Sequence, residues 1–269
     1  MAVEDNETTP LLPGASGTDR KSRIKSKLRE RVDVKDCIPI LILMNFITGF
    51  LDAISYTTLR IWAAFQTGNS IQLSLALSRL TALPNEIPEH SSRLSHAFTT
   101  SDLVAIASLS FFNLGAWAGG YLFNTPAGKT RGWMILSTTI QIFLTIISAL
   151  VVLHPQPDDS DTRMRRHISL VVIAISLGMQ GIQAKKLGTS QFGTSLVLTT
   201  AWVDMMNSPI WVPNIRDSKA LPIISLIFGG FVGGIILRYS DIFVALGAVV
   251  LLRTCIVIGW WIVPTVSAT

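Results

Sequence analysis

The chain has 269 residues, of which 49% are hydrophobic and only 14% are charged, and its net charge is +5. Soluble domains carry roughly 25% charged residues, and a soluble fold here would have to bury several uncharged stretches in one core. A membrane span needs about 20 predominantly apolar residues. The composition, with a mean hydropathy of +0.48, therefore predicts an all-α polytopic membrane protein.

Residues 1–36 form a polar and charged tail, which we expect to be disordered and cytoplasmic. Eight Lys and Arg residues between Arg20 and Lys35 directly precede the first apolar run, where basic residues keep the start of a first span on the cytoplasmic side. This explains the net charge better than a nucleic-acid partner does. The stretch "ETTPLL" places Glu7 four residues before Leu11 and Leu12, which resembles an acidic dileucine sorting signal. We therefore expect an integral protein of the vacuolar, endosomal or plasma membrane.

Eight apolar segments follow the tail. They cover residues 37–59, 61–80, 103–123, 132–153, 168–186, 189–207, 220–238 and 242–263. Segments two and six are rich in Thr, Ser, Asn and Gln, so they are either full helices inside the bundle or half-helices entered through non-helical backbone. The distribution of Lys and Arg favours eight crossings with both termini cytoplasmic, and the number of spans is expected to be six to eight.

Segment one contains a carboxylate within an otherwise uncharged stretch, Asp52 in "ITGFLDAISYTTL". Its non-aliphatic residues recur at helical spacing and form one stripe: Asn45, Thr48, Gly49, Asp52, Ser55 and Tyr56. Asp52 is therefore expected to face the interior of the bundle, where it must be paired, hydrated or protonated. Arg253, twelve residues into segment eight, is the candidate charge partner. An ion or solute site at Asp52 and Tyr56, and a purely structural ion pair, are both compatible with this pattern.

Segment two contains Gln66-Thr67-Gly68-Asn69-Ser70, which has the composition of a local unwinding or of a helix N-terminus. A half-helix N-terminus directed into the bundle could bind an anionic group. The alternative is that these small and hydroxyl residues only pack helices together. Gln66, Thr67, Gly68 and Asn69 are candidate binding residues under the first interpretation.

The two halves of the chain repeat several features in the same order. Gly49 to Ala53 in segment one corresponds to Gly178 to Gly181 in segment five, where Gln180 and Gln183 take the place of Asp52. Thr67-Gly68 corresponds to Thr199-Thr200, so that Gln180 and Thr199 are candidate site residues of the second half. Segments three and seven share a Gly-x-x-x-Gly-Gly pattern that is typical of close helix packing in lipid: Gly115, Gly119 and Gly120 in one, and Gly229, Gly233 and Gly234 in the other.

These matches divide the chain into regions. We predict a tail (1–36), a first membrane repeat (37–153), a linker loop (154–167), a second membrane repeat (168–263) and a C-terminal tail (264–269). Duplicated membrane halves with broken or polar segments are typical of secondary transporters. Whether the repeats are parallel or inverted depends on the number of crossings in each half, which the sequence leaves open.

The stretches "GFLDAISYTTLRIWAAFQTGNSIQLSLAL", "FNLGAWAGG" and "SLGMQGIQAKKLG" resemble the DUF1275, or YoaK-like, family of integral membrane proteins, over about residues 38–263. Two departures stand out: Phe65-Gln66 where family members often have Asn-Met, and Thr199-Thr200 where they often have Thr-Gly. The resemblance implies a fold but no chemistry.

A small-solute transporter or permease is the function that these features favour, with a path between segments one, two, five and six. The alternative is a non-transporting membrane scaffold or assembly protein whose polar core is structural. No nucleophile–base pair or metal-ligand spacing is present, so neither an enzyme nor a metal or other cofactor is expected. The expected partners are the lipid bilayer and an unidentified small solute, and a homo-oligomer is left open.

Overall fold

A computed structural model describes residues 17–82, 92–123, 129–153, 159–188, 199–207 and 219–266. These residues form ten α-helices. The helices are α1 (Gly17–Arg29), α2 (Ile38–Leu59), α3 (Gln66–Ser78), α4 (Arg93–Ala97), α5 (Thr100–Phe123), α6 (Arg131–Val152), α7 (Asp159–Leu187), α8 (Thr199–Met206), α9 (Leu221–Tyr239) and α10 (Ile242–Ile262). The all-α architecture confirms the predicted fold class.

Six helices are long and apolar enough to cross a membrane. The candidate spans are Val34–Leu59, Thr100–Tyr121, Arg131–Val152, Ser160–Leu187, Leu221–Tyr239 and Ile242–Ile262. Segment two instead gives α3, with 13 residues, and the described part of segment six, 199–207, contains α8, with 8 residues. At 1.5 Å per residue even α3 extends only about 20 Å, short of the ~30 Å hydrocarbon core. The described chain therefore contains six candidate spans, which is the lower end of the predicted six to eight.

The helices α2 and α7 form the centre of the bundle. About 67% of the apolar window of each is buried, against 28–33% for the other four candidate spans. Outer helices present large apolar side chains outward, such as Trp117, Phe143 and Phe231. Several polar side chains face inward instead, such as Gln141 and Gln180. This arrangement is expected when hydrocarbon surrounds the protein, because polar groups avoid lipid.

The two central helices run in opposite directions. Gln180 of α7 bonds to Met44 and Thr48 near the start of α2, whereas Ser55 near the end of α2 shares a cleft with Ser169 of α7. We call the end of the bundle where α2 begins and α10 ends the proximal face, and the end where α2 terminates the distal face. The helix α5 packs along α7, α9 packs along α2, and α6 contacts both α7 and α10.

Two regions that were predicted to be irregular are partly helical. The helix α1 covers much of the described tail, because Lys, Arg and Leu favour helix. Its last turn also packs on α6, where a Cβ added at Gly132 would lie 2.9 Å from the carbonyl oxygen of Leu28. The linker predicted for 154–167 is helical from Asp159 onward, since α7 extends beyond its apolar part. Residues 1–16, which include Glu7, Leu11 and Leu12, lie outside the described residues.

Candidate functional site

A non-helical stretch of backbone connects α2 to α3. Arg60 ends α2 in the left-handed conformation, with φ 58°, and the chain turns back along the helix that it has just left. Asp52 Oδ1 then accepts hydrogen bonds from the backbone N–H groups of Ala63 (2.9 Å) and Ala64 (2.7 Å). Since Asp52 precedes the end of α2 by seven residues, this contact lies about 10 Å from that end. Residues 60–65 therefore form a re-entrant segment, and α3 begins within the bundle.

Polar side chains of α3 and α5 supply hydrogen bonds to the carbonyl groups of the re-entrant segment. Gln66 Nε2 donates to the carbonyl oxygen of Ala63 at 2.7 Å, and Asn69 Nδ2 donates to that of Trp62 at 2.8 Å. Ser108 Oγ of α5 donates to the same Trp62 oxygen at 3.2 Å. Non-helical backbone is tolerated at membrane depth only when its polar groups are satisfied. Asp52, Gln66 and Asn69 together meet that need, with Asp52 accepting and the two amides donating.

Of the two alternatives for Gln66 to Ser70, a local unwinding or a helix N-terminus, the structure has the helix N-terminus, since α3 starts at Gln66. Gly68 has ordinary helical backbone, so its expected freedom to adopt unusual angles is not used. Its small size matters instead, because an added Cβ would approach the rings of Phe65 and Trp62 at 3.2–3.3 Å. The ring of Tyr56 stacks on that of Trp62, with centroids 4.2 Å apart, and the Arg60 guanidinium lies 5.6 Å from the Tyr56 ring centroid. Tyr56 thus covers the re-entrant segment at its distal end.

The predicted ion pair between Asp52 and Arg253 does not form. Arg253 is fully buried, and its Nη1 donates to the carbonyl oxygen of Gln141 (2.6 Å) and to Thr145 Oγ1 (2.5 Å) on α6. Its Nε and Nη2 have no hydrogen-bond partner among the described residues. The two charges have comparable depths along the chain, but α10 directs Arg253 toward α6 while Asp52 faces the re-entrant segment. The position of a residue along its helix does not reveal in which direction around the helix axis its side chain points.

The two glutamines of α7 link helices and do not replace Asp52. Gln180 Nε2 donates to Thr48 Oγ1 at 2.9 Å and to the carbonyl oxygen of Met44 at 3.0 Å. Gln183 Nε2 donates to the carbonyl oxygen of Met134 at 2.9 Å and to Thr138 Oγ1 at 3.1 Å on α6. These bonds join α7 to α2 and to α6 in a core that lipid does not reach.

Four glycines allow the closest helix contacts. A Cβ at Gly115 would overlap the carbonyl oxygen of Ile175, and one at Gly229 would overlap that of Phe46. Gly49 and Gly178 make equally close contacts, although neither belongs to a Gly-x-x-x-Gly-Gly pattern. Gly233 also packs closely, with its added Cβ 2.8 Å from the carbonyl oxygen of Phe50.

The packing role predicted for three other glycines needs correction. An added Cβ at Gly120 or Gly234 would meet nothing within 4 Å, and one at Gly119 would make ordinary contacts from 3.5 Å upward. The last glycine of each Gly-x-x-x-Gly-Gly pattern points away from the partner helix, because adjacent helical positions differ by about 100°.

A cavity of about 210 Å³, which we call the proximal cavity, opens beside the start of α3. Gln66 and Thr67 line it from the re-entrant side, Ala116 lines it from α5, and Gly181 and Lys185 line it from α7. Lys185 belongs to the last turn of α7, so the cavity extends toward the proximal face. The structure thus brings Gln66 and Thr67 of segment two together with α7 of segment five, and α5 of segment three completes the lining.

A second cleft lies at the distal face, between α2, α6, α7 and α10. Its mouth has a volume of about 270 Å³ and includes Arg166 and Asp241. A narrow inner part of about 20 Å³ is lined by Ser55, Ser169 and again Arg166. Sequence reasoning missed Arg166 and Ser169, since a charged residue near a span end carries no signal of its position in a cleft. Thr199 begins α8 and is exposed, and residues 189–198, which precede it, lie outside the described residues.

The six apolar spans, the inward polar side chains and the re-entrant segment define a polytopic α-helical membrane protein. The chain belongs to the family described as "Protein of unknown function (DUF1275)", which matches residues 40–259. This match confirms the resemblance drawn from the sequence motifs. Comparisons with curated proteins and with solved structures gave no match.

Proposed function

We propose that the protein is a small-solute permease whose solute path passes between two inverted halves of the chain. The observation that carries the proposal is the re-entrant segment: its backbone is non-helical at membrane depth, and it opens on a cavity that α7 of the other half helps to line. Membrane proteins tolerate such backbone where it is buried or lines a cavity. Transporters commonly place substrate sites beside broken helices where two repeats meet.

The packing of the glycines supports the inverted repeat. Gly49 of α2 lies against Leu226 and Gly230 of α9, an i, i+4 pair. Gly178 of α7 lies against Phe112 and Ala116 of α5, also an i, i+4 pair. The first helix of each half therefore packs on the third segment of the other half through the same contact.

The direction of the helices supports inversion as well. The first half contributes the spans α2, α5 and α6, and the second half contributes α7, α9 and α10. Three candidate spans in each half of the described chain would give the two halves opposite orientations, in keeping with the antiparallel α2 and α7. If Gly49 and Gly178 are equivalent positions, the residue that corresponds to Asp52 is Gly181, not Gln180. The two halves would then differ at this position. The first half has a carboxylate that accepts hydrogen bonds from backbone N–H groups, and the second half has a glycine that lines the proximal cavity.

One observation favours the alternative of a non-transporting scaffold. The hydrogen bonds of Asp52 within the described chain go to backbone N–H groups, and the glutamines bond to neighbouring helices, so much of the polar core has a structural role. The scaffold differs from the permease in a single respect, because it needs no solute flux through the proximal cavity.

Orientation and location follow from the tail. The basic residues before α2 favour a cytoplasmic N-terminus, which makes the proximal face cytoplasmic. The motif at Glu7, Leu11 and Leu12 favours a vacuolar or endosomal membrane, with the plasma membrane as the other candidate.

Osmotic reswelling of proteoliposomes tests the permease without knowledge of the solute. Liposomes with the wild-type protein are shrunk with each of a panel of neutral, anionic and cationic solutes, and light scattering follows their reswelling. We expect at least one solute to enter faster than into protein-free liposomes. Ala116→Trp, which fills the proximal cavity, should abolish that acceleration, and Leu114→Trp should retain it, because Leu114 is on the same helix but 47% exposed on the outer surface. No acceleration for any solute, or equal rates for the two variants, would favour the scaffold.

A further inference from the structure

The proximal face is joined by a short three-segment structure that we call the latch, formed by residues 30–33, 129–131 and 263–266. Residues 30–33 lie in the middle and bond to both neighbours. The backbone bonds are Arg131 N–H to Glu30 O (2.9 Å), Val32 N–H to Lys129 O (3.1 Å), Asp33 N–H to Pro264 O (2.9 Å) and Val266 N–H to Arg31 O (2.9 Å). Because 129–131 begins α6 and 263–266 follows α10, the latch connects the two halves of the chain at this face.

Side chains reinforce the latch. The Glu30 carboxylate accepts a hydrogen bond from Thr265 Oγ1 at 2.9 Å and lies 3.8 Å from Arg131 Nη1. Arg131 is buried, and its Nη2 donates to the carbonyl oxygen of Val263 at 2.5 Å. Glu30 directly follows α1, so binding that immobilises α1 also restrains the middle segment of the latch.

The helix α1 presents a basic surface beside the start of the first span. Its sequence, GTDRKSRIKSKLR, contains six basic residues and one acidic residue. The side chains of Lys21, Arg23, Lys25, Lys27 and Arg29 are exposed, and none of them belongs to the three ion pairs formed by described residues. Lys185 and Lys186 at the end of α7 add positive charge at the same face.

The last turn of α1 packs against the first turn of α6. Leu28 packs beside Gly132 in the first turn of α6. Ile24, 40% exposed, is one helical turn earlier on the same side of α1. The helix therefore lies against the first turn of a membrane span, with an apolar residue on the bundle side and lysines and arginines around it. Helices with Lys and Arg on one face and apolar residues on the other lie in the headgroup region of a bilayer.

We propose that α1 is a docking surface for anionic phospholipid headgroups, and that their binding stabilises the latch. Charge complementarity favours this occupant, because α1 is held at the membrane boundary, where anionic headgroups are concentrated, and each Lys or Arg near such a surface raises affinity about fivefold. The proposal concerns the proximal leaflet and is independent of solute transport.

Hydrogen exchange of the latch amides in nanodiscs tests the proposal with the full chain. Exchange at Val32 and Asp33 is compared in phosphatidylcholine alone and in an equal mixture of phosphatidylcholine and phosphatidylserine. We expect slower exchange in the anionic mixture. The variant Lys21→Gln/Lys25→Gln should lose most of that slowing while keeping wild-type exchange in phosphatidylcholine, because both side chains are exposed and Gln preserves helix propensity.

A matched control removes the same charge from the other face. Arg163→Gln/Arg166→Gln alters two basic residues of α7 at the distal end and should leave the phosphatidylserine effect intact. The proposal is overturned if the wild-type latch exchanges equally fast in both lipids or if the α1 variant retains the full effect. Equal loss in the distal control would also overturn it, since the effect would then depend on net charge alone.

Discussion

Removing the Asp52 carboxylate should release the re-entrant segment. One oxygen of Asp52 accepts hydrogen bonds from two backbone N–H groups, at 2.9 and 2.7 Å. A buried donor left without an acceptor costs about 1–3 kcal/mol, so Asp52→Ala should destabilise this region by about 2–6 kcal/mol. Asp52→Asn keeps one amide oxygen for the two donors but loses the charge. Because charge-assisted hydrogen bonds are roughly twice as strong as neutral ones, its cost should be about half that of Asp52→Ala.

Hydrogen exchange at Ala63 and Ala64 is the most direct assay, because the segment can open without unfolding of the whole bundle. Exchange there should accelerate in the order wild type, Asp52→Asn, Asp52→Ala, and thermal unfolding in detergent should follow the same order. Asp241→Ala is the control: Asp241 is exposed and makes no side-chain capping bond to α10, so its cost should stay within about 0.5 kcal/mol. If Asp52→Ala exchanges like wild type at both amides, the assigned role of the carboxylate is wrong.

Two further predictions concern packing and charge. Gly178→Ala should lower the midpoint of thermal unfolding by several degrees, because the added Cβ would overlap the carbonyl oxygen of Phe112. Gly120→Ala should leave the midpoint unchanged, since its Cβ meets nothing within 4 Å. Equal midpoints for the two variants would contradict the packing described. The effects of Asp52→Asn and Arg253→Met on the free energy of unfolding should add to within about 0.5 kcal/mol, because the two side chains share no contact. A coupling energy above about 1 kcal/mol in the double-mutant cycle would show that the two side chains do form an ion pair.

Hydrophobicity and length predicted most of the fold. The spans are long and predominantly apolar, and the polarity of segment two correctly indicated that it differs from them. The number of crossings could not be read from charge, because outside the tail basic residues occur at both faces: Lys129 and Lys185 at the proximal one, Arg60 and Arg238 at the distal one. The helix α1 was missed for a related reason, since a charged sequence resembles a disordered one until a partner surface for it is known.

The sequence indicated several polar side chains that face the bundle interior, but not their hydrogen-bond partners. Helical periodicity correctly directed Asn45, Thr48 and Ser55 into the bundle. It could not choose a partner for Asp52, because a backbone N–H acts as a donor in every residue except proline and leaves no trace in the sequence. An ion pair between Asp52 and Arg253 was predicted because charged residues within a membrane usually pair with one another. In the structure, however, the two side chains contact different neighbours.

The depth and accessibility of the start of α3 decide whether the chain re-enters the bundle before this helix. With Cys37 and Cys255 replaced, a single cysteine at Thr67 can be treated with a charged, membrane-impermeant thiol reagent from either side of oriented proteoliposomes. Because Thr67 lines the cavity that extends to Lys185, the account predicts labelling from the proximal side, although the chain before and after α3 lies at the distal face. A cysteine at Ser92, the N-cap of α4, should label from the distal side. Labelling of Thr67→Cys from the distal side alone would show that α3 is an ordinary surface helix and would contradict the re-entrant path.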